Sequence, residues 1–336
     1  KIFEYLDHDD RVNMNNVITC FGSLFQYIYS LKIGCMFTDA QLSLYVNLTS
    51  LEGVNCYKTT DNGIKQLKHL TSLECWNCEK IGDDGIKELK SLKKFECMTC
   101  PNVTDRSIRE LKQLTEFRYF GCSRITDDSV KELKNLTTLI CGYQNITDSC
   151  IKELKFLTIL NCGKCNDVTD NGIKELKFLK ELSCDGCQQI TDSSIKELKK
   201  LTYLSCNACL NITDTSINEL KNLTHLYCSD CQKITDESIK MLNYLNVFGC
   251  AKCSNITDLS IIRLKSLTHF NCRHCKMTDK SISELKLLEV LFCDECPNIT
   301  DASICELKFL TILTCGGCQN ITKTLSDSIN NKKKLK

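Results

Sequence analysis

The chain has 336 residues, with 43 Lys and Arg against 42 Asp and Glu and 42% hydrophobic side chains. Balanced charge excludes an overall basic field for nucleic acid, this composition excludes a disordered chain, and no apolar run reaches the roughly 18–20 residues of a membrane-spanning helix. Two counts stand out, 2 prolines and 27 cysteines, the latter a load otherwise met in short secreted scaffolds stapled by disulfides.

Residues 1–30 come first and differ from everything after them. Lys1 to Asp10 is acidic and amphipathic, unlike a signal peptide. The pattern predicts a short helix ending near Leu6, an acidic turn capped by Asp7 or Asp9, and a second helix running past Val17 towards Phe21. Ile2, Leu6, Asp7, Asp10, Val17 and Phe21 occupy the spacing of the latter two thirds of an F-box, which this segment resembles. The opening Leu-Pro-x-acid part of that motif is expected upstream of Lys1. The resemblance implies that Leu6, Val17 and Phe21 dock on a Skp1-like adaptor of a cullin-type ubiquitin ligase. A second reading makes residues 1–30 a small helical cap on the apolar end of a repeat array, and the two roles are compatible.

From residue 31 to 322 a repeat governs. Asp39, Asp61, Asp83, Asp105, Asp127, Asp148, Asp170, Asp192, Asp214, Asp236, Asp258, Asp279 and Asp301 recur every 22 residues, with intervals of 21 after Asp127 and Asp258. This predicts one array of about 13 units instead of two unrelated domains. In a representative unit Asp192 precedes Ile195 and Leu198 at helical spacing, so a helix is expected over about 193–200, its first amides accepted by the Asp192 carboxylate. After Leu201 the period becomes two: Leu204 and Cys206 point inward, Tyr203, Ser205 and Asn207 outward, as in a strand. One unit cannot bury its apolar positions alone, so units stack, with parallel strands about 4.8 Å apart. The frame Leu201-x-x-Leu204-x-Cys206-x-x-Cys209 resembles the cysteine-containing class of leucine-rich repeats. That resemblance implies an α/β, right-handed solenoid with strands on the concave face and helices on the convex face. The short period makes those helices brief.

The cysteines fall into two columns, exemplified by Cys184, Cys206 and Cys228 in one and Cys187, Cys209 and Cys231 in the other. Pairs such as Cys75/Cys78 and Cys97/Cys100 have zinc-ligand spacing. Single replacements by Gly53, Tyr119 and Gln144 leave the frame intact, however, which a shared coordination shell tolerates poorly. The expectation is buried, inert thiols acting as small hydrophobes, with no metal and no cofactor. The odd cysteine total also speaks against a full set of disulfides. Cys150 and Cys305, which replace a Ser and a Lys of the helix, are expected to reach solvent. Nine Asn-x-Thr sequons, Asn211 and Asn255 among them, read as by-products of the repeat.

Outward strand positions vary where the frame does not. Trp76, Met98, Arg118, Phe120, Tyr143, Tyr203, His225, Tyr227, His269 and Phe292 are the candidate partner-binding residues of the concave face. Val290 is also placed outward, whereas the recurrent Lys-Glu-Leu-Lys surface reads as a solvated exterior. No nucleophile–base pair, phosphate loop or paired-acid motif occurs, so an enzyme is not expected. Residues 323–336 read as a basic, solvated tail. These features together predict a cytosolic or nuclear adaptor, monomeric within its complex, that presents a protein substrate for ubiquitination without engaging nucleic acid or membrane. A repeat scaffold with no ubiquitin role is the alternative, and a zinc-binding or thiol-redox protein the reading from another class.

Overall fold

The computed structural model describes residues 22–331, so Leu6, Val17 and Phe21 lie outside the described residues. The chain divides into two compact units, one ending at Leu114 and the other beginning at Thr115, both made of the same repeat. In the first, strands β1 (Ser30–Ile33), β2 (Ser50–Val54), β3 (Ser72–Trp76) and β4 (Lys94–Met98) pair in parallel, each with the next. The second carries β5 (Glu116–Phe120), β6 (Thr138–Ile140), β7 (Ile159–Asn161), β8 (Glu181–Ser183) and β9 (Tyr203–Ser205). It continues with β10 (His225–Tyr227), β11 (Val247–Gly249), β12 (His269–Asn271), β13 (Val290–Phe292) and β14 (Ile312–Thr314), again parallel and in sequence order.

The register stacks like on like. Leu182, Leu204, Leu226, Phe248 and Phe270 form one buried row across successive strands. Ile195, Leu198, Leu201, Cys206, Cys209 and Ile212 of the representative repeat are buried beside it. Each large aliphatic contributes about 1.5–3 kcal/mol through burial, and only neighbouring repeats can cover it.

Helices are shorter than the periodicity suggests. Asp192–Ile195 makes one α-turn, not the stretch to residue 200. It then tightens into i+3 turns, Leu198 N to Ile195 O at 3.1 Å and Leu201 N to Leu198 O at 3.0 Å, because the short repeat must return quickly to the next strand.

The aspartate also works differently from expectation. The helix is capped by Thr191, whose hydroxyl accepts the Ser193 amide at 3.1 Å. Asp192 instead reaches the following repeat, where its carboxylate accepts from Thr213 N at 2.8 Å and Thr213 Oγ1 at 2.6 Å. The same link joins Asp148 to Thr169, Asp170 to Thr191 and Asp214 to Thr235. A serine often adds a further donor, as Ser238 Oγ does to Asp214 at 2.5 Å. Each threonine thus caps its own helix while its amide and hydroxyl proton satisfy the preceding repeat.

The cysteine columns are buried through the interior of the array and have two distinct roles. The first column fills the inward strand position. The second donates its thiol to the preceding repeat: Cys209 Sγ lies 3.1 Å from Cys184 O, Cys231 3.1 Å from Cys206 O, and Cys253 3.1 Å from Cys228 O. The acceptor carbonyl already takes the amide of its own C-x-x-C turn, as Cys187 N to Cys184 O at 3.0 Å, and the thiol meets its second lone pair. The turn is closed by a residue in the left-handed region, Ala208 at φ 57° in one repeat and Gly186 at φ 73° in another. Burial foremost, with the Cys275 thiol next, pushes Cys250 well above the ordinary thiol range, consistent with an inert interior.

Of the two thiols expected in solvent, Cys305 is exposed and Cys150 is buried. Cys150 occupies the helix position filled elsewhere by Ser194, Ser216 and Gly172, a column packed against the aspartate of the preceding repeat. A Cβ on Gly172 would come within 2.5 Å of Asp148 Oδ1. Burial, then the Asp127 charge, raises the Cys150 pKa. With a thiol-specific chromogenic reagent on native protein, Cys305→Ser removes about one equivalent of fast-reacting thiol, whereas Cys150→Ser leaves the fast phase unchanged. A fast phase lost with Cys150→Ser would contradict this packing.

The sequon asparagines serve the stack: the Asn211 and Asn255 side-chain amides donate to Gln188 O at 2.9 Å and Gln232 O at 2.8 Å. At the C-terminal end, residues 323–331 depart from the expected tail. Lys323–Asn331 is a helix with Ile329 buried, and its Asn330 side chain accepts from Leu313 N at 2.9 Å and donates to Leu313 O at 3.0 Å. Amphipathic spacing makes this segment a cover for β14. No helix among the described residues is long and apolar enough to cross a membrane.

Candidate functional site

The variable side chains stand on the strand side of each unit. In the first, Glu52, Glu74 and Glu96 form an acidic row across β2, β3 and β4, with Lys32 and Lys94 each 2.5 Å from Glu52 and Glu74 respectively. Val54, Trp76 and Met98 form the parallel apolar row; Trp76 is exposed and Met98 half-buried.

In the second unit the predicted residues gather into clusters instead of one continuous patch. Arg118 is half-buried on β5, and exposed Phe120 meets Tyr143 edge-on, with ring centres 5.9 Å apart. Lys164 Nζ lies 5.3 Å from the Tyr143 ring centre. Further along, Tyr203 is 5.9 Å from His225 and 5.7 Å from Tyr227, three half-buried rings on β9 and β10. Burial, followed by Tyr227 and Asp185, raises the Tyr203 phenol pKa, and burial alone raises that of Tyr227. His269 is exposed in the same row as His225, one strand beyond Val247. Phe292 lies under the Arg273 guanidinium at 4.8 Å.

Sequence reasoning missed the polar framework under these rings. Ser205, expected outward, is buried because its hydroxyl donates to Asp185 Oδ1 at 2.7 Å; the same oxygen accepts Asn207 N at 2.8 Å. Asn207 Oδ1 in turn accepts Ser229 N at 2.8 Å. A second network joins Arg273 Nε to Asp294 at 2.5 Å, Thr314 Oγ1 to Asp294 at 2.9 Å and Gly316 N to Asp294 at 2.6 Å. Burial alone would raise the Asp294 pKa, but hydrogen bonds from Arg273 and Thr314 bring it below the usual carboxylate range. Its signal in sequence was the first residue inside each C-x-x-C pair. Val290, also expected outward, is buried.

Two further features shape the two sides of the repeat. Gly249 is a placement device: a Cβ there would sit 2.9 Å from Tyr227 Cδ1, so only glycine lets that ring lie flat across β11. The helix side is not uniformly polar either, since Phe156, Phe178, Leu287 and Phe309 are exposed just before the buried leucine that precedes each strand. Lysines and glutamates of successive repeats also pair on this side, as Lys90 with Glu110 at 2.7 Å and Lys286 with Glu306 at 3.0 Å, exposed links that add little to stability. Among the described residues no three His, Cys, Asp or Glu side chains are grouped as metal donors.

No family model matches the chain, and no curated protein does. Solved structures do. A leucine-rich-repeat protein of Leptospira interrogans superposes with a TM-score of 0.56 at 18% identity, over 94% of this chain and 96% of that one. The fold is a leucine-rich-repeat solenoid. An internalin (inlF) from Listeria monocytogenes gives a TM-score of 0.64 at 19% identity, covering 87% of this chain and 88% of its own. A chain of the yeast Rad7 and Elc1 complex gives 0.61 at 20% identity, covering 94% and 89%. At these identities the likeness is one of fold alone.

Proposed function

We propose that the protein is the substrate-recognition subunit of a Skp1-type ubiquitin ligase, non-catalytic and cytosolic or nuclear. Its strand face, concave in such solenoids, holds a target protein while residues 1–30 dock on the adaptor through Leu6, Val17 and Phe21. The observation carrying the first half is the clustering of Phe120 with Tyr143, of Tyr203 with His225 and Tyr227, and of Phe292 with Arg273 on hydrogen-bonded strands. Rigid aromatic and guanidinium anchors on a fixed sheet are what protein recognition uses. Similarity to a chain solved together with a second protein, Elc1, supports a repeat that works within an assembly. The F-box-like spacing at the N-terminus supports the second half.

Co-expression with a Skp1-type adaptor tests the docking half. The two proteins are expected to co-purify, and Leu6→Asp is expected to weaken the complex at least tenfold while Tyr227→Leu leaves it unchanged. Absence of a complex with the unsubstituted chain would sink the ligase reading. One observation favours the scaffold alternative: Phe25, in the turn of helix Gly22–Tyr27, is buried with its ring 5.0 Å from Tyr45, and Asn47 Nδ2 donates to Gln26 O at 2.8 Å. This packing supports reading the N-terminal segment as a cap on the first repeat.

A further inference from the structure

We propose that the Tyr203–Tyr227 pair receives a cationic side chain, arginine or lysine, from the partner protein. This rests on the strand face being a protein-binding surface and names the chemistry it selects.

The argument begins with how the same sheet treats its other rings. Tyr143 carries Lys164 at 5.3 Å from its centre, and Phe292 carries Arg273 at 4.8 Å, with Asp294 neutralising that guanidinium. Phe292 and Tyr227 occupy the same register row, linked through Gly249 and Asn271. In the repeat before Phe292 the first residue inside the C-x-x-C pair is Arg273; in the repeat before Tyr227 it is Asn207. The built-in cation is therefore replaced by a short amide at the tyrosine pair.

The carboxylates remain. Asp185 is held by neutral donors, Ser205 Oγ and Asn207 N, whereas its counterpart Asp294 is paired with an arginine. Glu181 is exposed beside Tyr203, its register partner on the next strand, and Asp230 is exposed at the turn after Tyr227. In the column of turn positions the bases are Lys164, engaged on Tyr143, and Lys252, which follows Asp230 in the next repeat; closer to the rings, His225 lies 5.9 Å from Tyr203 and Lys180 directly precedes Glu181. Between them the turn positions are Gly186, covered by the Lys164 stem, and Ala208, which is exposed and adds no more than a methyl group beside the rings. Two tyrosine faces with acids on both flanks fit a guanidinium or ammonium, which gains from ring quadrupoles and carboxylates together. A carboxylate or an apolar side chain would gain only one of these or neither.

A random peptide library displayed on phage and panned against the whole protein tests this. The recovered pool is expected to be enriched in Arg or Lys. The best peptide, resynthesised with citrulline in place of its arginine, or with norleucine in place of its lysine, is expected to bind about tenfold more weakly. Tyr203→Leu and Tyr227→Leu keep apolar bulk, and Asp185→Asn keeps shape. Each is expected to cost a similar factor for the cationic peptide and almost nothing for its neutral analogue, with folding checked by circular dichroism. The peptide-side exchange needs no variant to fold. A pool without Arg or Lys enrichment, or affinity indifferent to the neutral analogue, overturns the inference. If such peptides still lose affinity with Trp76→Ala or Phe120→Ala, the protein-binding reading survives; if no pool depends on any strand-face residue, both readings fall.

Discussion

Asp214→Ala is expected to destabilise the repeats around it by about 3 kcal/mol, more than most single surface substitutions. The carboxylate accepts from Thr235 N at 2.8 Å, Thr235 Oγ1 at 2.6 Å and Ser238 Oγ at 2.5 Å, so its removal strands three donors of the following repeat. Asp214→Asn keeps one acceptor oxygen and is expected to cost about half as much. Because stability in a stacked array is local, amide hydrogen exchange is the proper measurement: protection should fall at Thr235–Ile239 before it falls at distant repeats. Uniform loss across the chain, or none, would contradict the linkage. The acid response has a definite sign. For Asp83, burial alone would raise the pKa, but hydrogen bonds from Ser107 and Thr104 outweigh it and the net shift is downward; Asp279 shifts the same way through Ser303 and Thr300. A carboxylate lowered in the folded state stabilises above its unfolded value of about 3.9 and loses that contribution as pH falls through the folded value. Unfolding midpoints should therefore drop below about pH 4, and less steeply in an Asp83→Asn variant.

Cys231→Ala is expected to cost about 2 kcal/mol, part from the cavity and part from leaving Cys206 O without the thiol that reaches it at 3.1 Å. Cys231→Ser separates the two contributions. A thiol that were only oily filler would be replaced worst by a polar hydroxyl. A thiol that donates is replaced better by serine than by alanine, so serine should recover about half of the loss. Denaturant midpoints of the two variants decide it, and serine falling below alanine would return the second column to the role of plain hydrophobe.

The frame was legible because stacking leaves no alternative. Leu204, Cys206 and Ile195 recur at fixed phase, and a period of 22 residues permits one strand and one brief helix. What could not be read was which repeat a polar group serves. Asp192 sits where an aspartate satisfies its own helix, and nothing in one repeat says that Thr191 already does so and that Asp192 faces Thr213. Cys150 was misjudged by the same route: a helix position read as outward belongs to a column of Gly, Ser and Cys, whose uniform smallness was the signal that the carboxylate of the preceding repeat lies against it. On the strand side, the residue types and faces of Tyr203, His225 and Tyr227 were readable, but their proximity depends on Gly249 and on the Asp185–Ser205 bond, features visible only across repeats.

The Asn330 amide deserves a last consequence. A parallel sheet assembled by adding identical rungs has no internal reason to stop, and a bare final rung is an invitation to the next molecule. By presenting one acceptor and one donor to Leu313, this side chain mimics a single peptide group of a further rung. The backbone of β14 at Leu313 is thus met by a side chain instead of a strand, with the buried Ile329 beside it.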